Sequence, residues 1–221
     1  MIALTLDRPW LDCRLPRPMR VLSWAPVNPG YHITDRILWR EVRNADLTPD
    51  FDAIGWFADQ IAARAPGAVG LLTSRDIGTF VQATAEVDGI RAHAIATVGL
   101  TNAESVGTRL PYHPAEYGTI NVAVAVDAAL TEAAQLEALS VAVQARTAAV
   151  ITGGITLATG LATGTGTDCL ALACDPGDTS FAGLHTALGE VVGAATRTAV
   201  AAGVASWQAW FLAEKRRRGL P

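Results

Sequence analysis

A chain of 221 residues, half of them hydrophobic and only 17% charged, is long enough to bury one large core. Its formal net charge of −4 and pI near 5.5 argue against nucleic acid as the main partner, because neutralising phosphates needs a basic face. Three cysteines, Cys13, Cys169 and Cys174, leave an odd thiol and no Cys-x-x-Cys pair, which argues against a disulfide framework or zinc ribbon and fits a reducing cytoplasm.

In chain order, Asp7 and Arg8 interrupt what would have to be the apolar stretch of a signal peptide, so secretion is not indicated. Arg20 to Pro26 reads as strand and loop, followed by an Asn28-Pro29-Gly30 turn, and Ile37 to Val42 as a second strand. Next comes an amphipathic helix, with Thr48 as its cap and Pro49 at its first position. Val69 to Thr73 is a short buried strand. The run from Phe80 to Gly99 is a hairpin turning at Asp88-Gly89, a dipeptide suited to a primed turn. Thr119 to Val126 is another buried strand, and Leu130 to Ile151 a long Ala-rich helix capped by Thr131. The segment from Thr147 to Thr167 has no charge over about the length of a bilayer, yet its glycines and threonines make a poor hydrocarbon-facing helix, so no membrane partner is expected. Leu170 to Cys174 is a strand and Leu184 to Lys215 mostly helix, ending in a basic run that complements the helix dipole. Hairpins early and strand–helix alternation later point to a single α+β domain over residues 1–221: one mixed sheet containing hairpins, with helices packed on it.

The chemistry concentrates in "LATGTGTDCLALACD", residues 161–175, where a small-residue loop meets an apolar strand at Asp168. A carboxylate there can act as base, acid or anchor, or can cap the turn. "GTGTDC" is not a dinucleotide fingerprint, because Cys169 stands where the third glycine is required. The four histidines, His32, His93, His113 and His185, share no metal-ligand spacing, and no metal site is expected. His93 reads as a hydrogen-bonded structural residue of the hairpin and His113 as a loop residue. His185 stands at a helix entry with Glu190 nearby, placed to serve as acid or base. Asn28, Asn102 and Asn121 each sit where a strand meets a loop, and side-chain amides pair well with amide-rich ligands because they donate and accept together.

The blocks "VLSWAPVNPG", "VGLLTS", "ATVGLTNAESVG", "GTINVAVAVDAALTEAA", "VQARTAAV", "ATGTGTD" and "AGLHTALGEVVG" resemble, in this order, the adenosylcobinamide amidohydrolase (CbiZ) family over about residues 20–200. The resemblance implies an enzyme of corrinoid salvage that hydrolyses the amide joining the aminopropanol arm to the corrin ring, giving adenosylcobyric acid. It implies a corrinoid small-molecule substrate that brings its own cobalt and no separate cofactor. Homo-oligomerisation is left open. Two departures stand out. Asn28-Pro29-Gly30 replaces an expected Asn-Gly-Gly, and Val143-Gln144-Ala145-Arg146 stands where members commonly read Thr-Glu-Ala-Lys. Gln144 nearly matches Glu in size but cannot act as a base. The alternative is a corrinoid-binding protein of the same fold that has lost hydrolysis.

On chemical grounds Asp168 is the expected base and His185 the acid, with the oxyanion held by Thr165, Thr167 and nearby N–H groups. A nucleophilic Thr165 or Thr167 is the variant. Gly164, Gly166, Glu190 and the three asparagines are expected to contact substrate. Cys169 begins an apolar strand, where a thiol is inert.

Overall fold

The computed structural model describes residues 2–43, 45, 47–48, 50–111 and 118–219. The strands are β1 (Ala3–Asp7), β2 (Trp10–Ser23), β3 (Gly30–Glu41), β4 (Val69–Thr73), β5 (Val81–Val87), β6 (Ile90–Val98), β7 (Ala103–Glu104), β8 (Ile120–Leu130), β9 (Thr156–Leu157), β10 (Gly160–Leu161), β11 (Gly164–Thr165) and β12 (Cys169–Pro176). The helices are α1 (Ala53–Arg64), α2 (Glu132–Thr152) and α3 (Ala187–Arg217). Eight strands form one mixed sheet in the order β4-β3-β2-β12-β8-β6-β5, with β1 beside β2, so the fold is α+β. Two-stranded ribbons, β9 with β10 and β7 with β11, lie off it.

Side-chain alternation explains how the sheet is covered. Along β12, Cys169, Ala171 and Ala173 enter one core, while Leu170, Leu172 and Cys174 enter another. The same period of two runs through β6 and β8, which are buried on both faces and therefore read as nearly continuous apolar runs. One core lies under α2 and α3. In the other, residues of β2, β3 and β4 such as Leu11, Trp39 and Leu71 gather with Ile95 and Ala123, and Trp39 Nε1 donates to Thr97 Oγ1 at 3.2 Å. The sheet is thus curled so that its β4 side folds over its middle. A third cluster packs Phe57 and Ile61 of α1 on Trp10 and Leu38.

β2 serves both layers. Its first half pairs with β1, its second half with β12, and β3 follows both halves through a register shift between Arg14 and Met19. Pro16 and Pro18 fall inside that shift, where their missing N–H groups break no ladder bond. The strand therefore begins at Trp10, not Arg20, and β3 runs from Gly30 rather than Ile37.

The hairpin turns where expected. Asp88 and Gly89 have φ of 51° and 78°, the pair of positive values a type I′ turn needs. Thr131 caps α2 by accepting from Ala134 N at 3.1 Å. α1 differs from expectation: its cap is Asp52, accepting from Gly55 N at 2.9 Å, not Thr48. The chain turns first at Thr48, where Phe51 N donates to the Thr48 carbonyl at 3.0 Å, and enters the helix only at Asp52; Pro49 lies outside the described residues. The basic residues Lys215, Arg216 and Arg217 occupy the last turn of α3, as the dipole favours. Among the described residues, no helix is long and apolar enough to cross a membrane.

Candidate active site

β8 and β12 run parallel with Asn121 opposite Cys169. The segments that enter them, Gly118–Thr119 and Thr163–Asp168, therefore lie side by side at one end of the sheet. Asp168 is the centre of this end. Its Oδ1 accepts from Ile120 N at 3.0 Å and from Thr165 Oγ1 at 2.5 Å; its Oδ2 accepts from Thr165 N at 3.0 Å and pairs with Arg146 Nη1 at 2.7 Å. These four contacts fill the acceptor positions of a carboxylate. The side chain is only 6% exposed. Burial pushes its pKa above the ordinary 3.8, opposed by the Arg146 charge, the Thr165 hydroxyl and N–H, and the Ile120 N–H.

Arg146 reaches this carboxylate from α2 and also donates to the Thr163 carbonyl at 2.9 Å. A Cβ at Gly164 would overlap both Arg146 and Asp168, so this glycine makes room for the ion pair rather than for a ligand. Gly166, by contrast, is exposed and open, with nothing within 4 Å of its Cβ position. Thr167 is exposed too, its hydroxyl donating to the Gly118 carbonyl at 2.8 Å, while Thr119 Oγ1 donates to the Thr167 carbonyl at 2.8 Å. The hydroxyl hydrogens of Thr165 and Thr167 are thus both committed within the protein, which leaves the oxyanion to backbone N–H groups.

The three asparagines do not act as a set. Asn121 is buried, donating to the Leu72 carbonyl at 2.8 Å and accepting from Thr119 Oγ1 at 3.3 Å. Asn102 shares its end of the sheet: a Cβ at Gly118 would stand 2.9 Å from Asn102 Oδ1, which is buried without a partner among the described residues. Asn28 closes a different loop, with φ of 56° and its amide donating to the Ala68 carbonyl at 2.7 Å. Ala68 lies four positions before Leu72, about 13 Å along an extended strand, so Asn28 is not joined to the other two.

His185 is the main correction. It and Glu190 are exposed at the entry to α3, beyond the C-terminal end of β12, whereas Asp168 precedes its N-terminal end. A strand of 8 residues separates them, about 26 Å long. The loop carrying His185 is instead tied to the start of α2, with Glu137 Oε2 accepting from Ala182 N at 2.6 Å. Asp168 and His185 cannot share a proton-transfer step. His93 is held as expected in the hairpin: its Nδ1 accepts from Ile2 N at 3.3 Å, its Nε2 faces Gln82 Oε1 at 3.0 Å, and burial lowers its pKa. His113 lies outside the described residues. The Cys169 thiol is buried and pushed up to about 12, far from the thiolate a nucleophile needs.

Three residues join this end without having been expected there. Arg146 stands in the sequence only as the residue where family members commonly have lysine. Glu104 pairs in register with Gly164, and its carbonyl accepts from Thr163 N at 2.8 Å. Trp24 Nε1 donates to the Asp168 carbonyl at 2.7 Å. Their blocks carried the signal, since Trp24, Glu104 and Arg146 each lie in a stretch that resembles the family. Gln144 is exposed on α2, and two residues along a helix turn it about 200° away from Arg146.

The family model described as adenosylcobinamide amidohydrolase (CbiZ) matches residues 3–211. The chain belongs to that family. No curated protein matches it. Among solved structures, it is similar to the PH0078 protein from Pyrococcus horikoshii OT3 at 10% identity and a TM-score of 0.42, covering 88% of this chain and 76% of that one. As a CbiZ family member the chain is of an amidohydrolase type, which turns attention to the hydroxyl–carboxylate contact between Thr165 and Asp168.

Proposed function

We propose that this CbiZ family member hydrolyses the amide joining the aminopropanol arm to the corrin ring of adenosylcobinamide, releasing aminopropanol and adenosylcobyric acid. The observation that carries this reading is the 2.5 Å contact between Thr165 Oγ1 and the buried Asp168 carboxylate. A hydroxyl is a weak nucleophile until a neighbouring base takes its proton. Thr165 Oγ attacks the amide carbonyl carbon while its proton passes to Asp168 Oδ1. The N–H of the open Gly166 stabilises the oxyanion. Collapse breaks the C–N bond, and the amine leaves with the proton from Asp168. Water then cleaves the Thr165 ester, with Asp168 again taking and returning a proton. Burial favours proton uptake by Asp168, and Arg146 keeps the carboxylate ionised between turnovers. No side chain beyond this group is needed to balance the protons. A reducing cytoplasm as its location is supported by three free, buried cysteines.

One observation favours a second reading, a corrinoid-binding protein without hydrolysis: all four acceptor positions of Asp168 are filled, one of them by a guanidinium. Incubating the protein with adenosylcobinamide and measuring free aminopropanol by mass spectrometry separates the two. Stoichiometric binding without release selects the second.

A further inference from the structure

Trp24 follows β2 directly and is 45% exposed, yet its polar edge is fixed to the Asp168 carbonyl. What remains in solvent is apolar ring surface, anchored to the backbone of the residue whose carboxylate receives the Thr165 hydroxyl. On β3, Tyr31 follows Gly30, which pairs with Ser23, the residue before Trp24. Tyr31 is exposed as well, and its polar end is also occupied: its hydroxyl donates to the Glu132 carbonyl at 3.0 Å, and Arg20 stands 5.7 Å from its ring centroid. The ring of Trp24 therefore borders the site, pinned by its polar tip and leaving ring surface bare, whereas the Tyr31 tip is anchored at the start of α2, toward the other end of β12. Rigid aromatic surface of this kind binds flat apolar groups at little entropic cost, whereas the short hydroxylated aminopropanol arm offers it almost nothing to cover.

We propose that Trp24 is the platform on which the apolar face of the corrin macrocycle rests during hydrolysis. Trp24 is then a specificity residue that grips the macrocycle, while the Thr165–Asp168 group works on the arm. This rests on the reading of the substrate as a corrinoid.

The test compares the full-length protein with Trp24→Phe, Trp24→Leu and Trp24→Ala. Equilibrium dialysis against adenosylcobyric acid, which lacks the scissile amide, reads platform binding alone; KM and kcat on adenosylcobinamide read it during turnover. Trp24→Ala and Trp24→Leu should each raise the Kd for adenosylcobyric acid and the KM about tenfold, with kcat within about twofold. Trp24→Phe loses the N–H bond but keeps a flat, though smaller, aromatic ring, so it should bind within about threefold of the parent. Thermal unfolding reports whether each variant is folded, and Trp24→Leu, which keeps bulk without a flat face, carries the test if Trp24→Ala does not fold. Equal losses in Trp24→Phe and Trp24→Ala would overturn the proposal, since the N–H bond to the Asp168 loop would then be the working part. Unchanged KM and product binding in Trp24→Ala or Trp24→Leu would overturn it too, and leave hydrolysis by the parent intact. A parent protein that neither binds nor cleaves either corrinoid would remove the functional reading itself.

Discussion

At the N-terminal end of β12, Asp168 is buried beneath four donors drawn from β8, α2 and its own loop, whereas past the C-terminal end His185 stands in solvent beside the exposed Leu184 and Phe181. Both ends carry the residue types that proton transfer needs. What differs is preorganisation. A carboxylate whose geometry is enforced by three elements meets a reacting group in one orientation, and a surface histidine does not. Residue type alone therefore does not locate chemistry in this fold; the number of elements that fix the residue does.

The sharpest way to break the comparison is by activity. Thr165→Val and Asp168→Asn should each lower kcat on adenosylcobinamide by about 10²–10⁴-fold, the scale of an acid–base group. His185→Asn should leave kcat within about twofold, as for an ordinary surface change. A large loss in His185→Asn with none in Asp168→Asn would move the active site to the other end.

Stability gives the next contrast. Arg146→Met leaves Asp168 as a buried, unpaired charge and should cost about 3–5 kcal/mol of the unfolding free energy measured in urea. Glu190→Gln, at an exposed helix start, should stay within about 0.5 kcal/mol. Equal effects would mean that the ion pair is not holding the loop.

The pH profile sharpens the assignment further. Asp168 must be ionised to take a proton, so kcat should be full above its pKa and fall as the pH drops through it. Because burial raises that pKa above 3.8, the fall should begin at higher pH than for an ordinary aspartate. His185→Gln should not move this acid limb, and a limb that vanishes in His185→Gln would reassign the titrating group.

The smallest effect concerns Gln144. It is exposed and turned away from Arg146, so Gln144→Glu should change kcat by no more than about twofold. A gain of orders of magnitude would transfer the base from Asp168 to that position.

Most of the fold was legible because its signals are local. The Asp88-Gly89 hairpin, the Thr131 cap and the apolar run of β4 each follow from a few adjacent residues. The first half of β2 was not legible, since Pro16 and Pro18 would interrupt a regular ladder and only the register shift with β3 accommodates them. The site divides in the same way. Asp168 and the Thr–Gly loop stood out locally, but their pairing with Arg146 is tertiary and leaves no mark on spacing. His185 is the instructive failure. The strand expected at Leu170 to Cys174 already separated it from Asp168, and a strand carries its two flanks to opposite edges of a sheet.

The wide sequence separations around Asp168 have a consequence in time. Its contacts to Ile120 and Trp24 join residues 48 and 144 positions apart. Contacts of this span form only after large loops have closed, and parallel pairing such as that of β8 with β12 is intrinsically slow. During refolding from denaturant, the hairpin and helices should therefore gain structure early, and the proposed hydrolysis should return only with the slowest phase. A chain cut between α2 and β12 loses the strand that joins β2 to β8 and with it this centre, so recovery of aminopropanol release would be a stricter clock for complete folding than any spectroscopic measure of helix or strand.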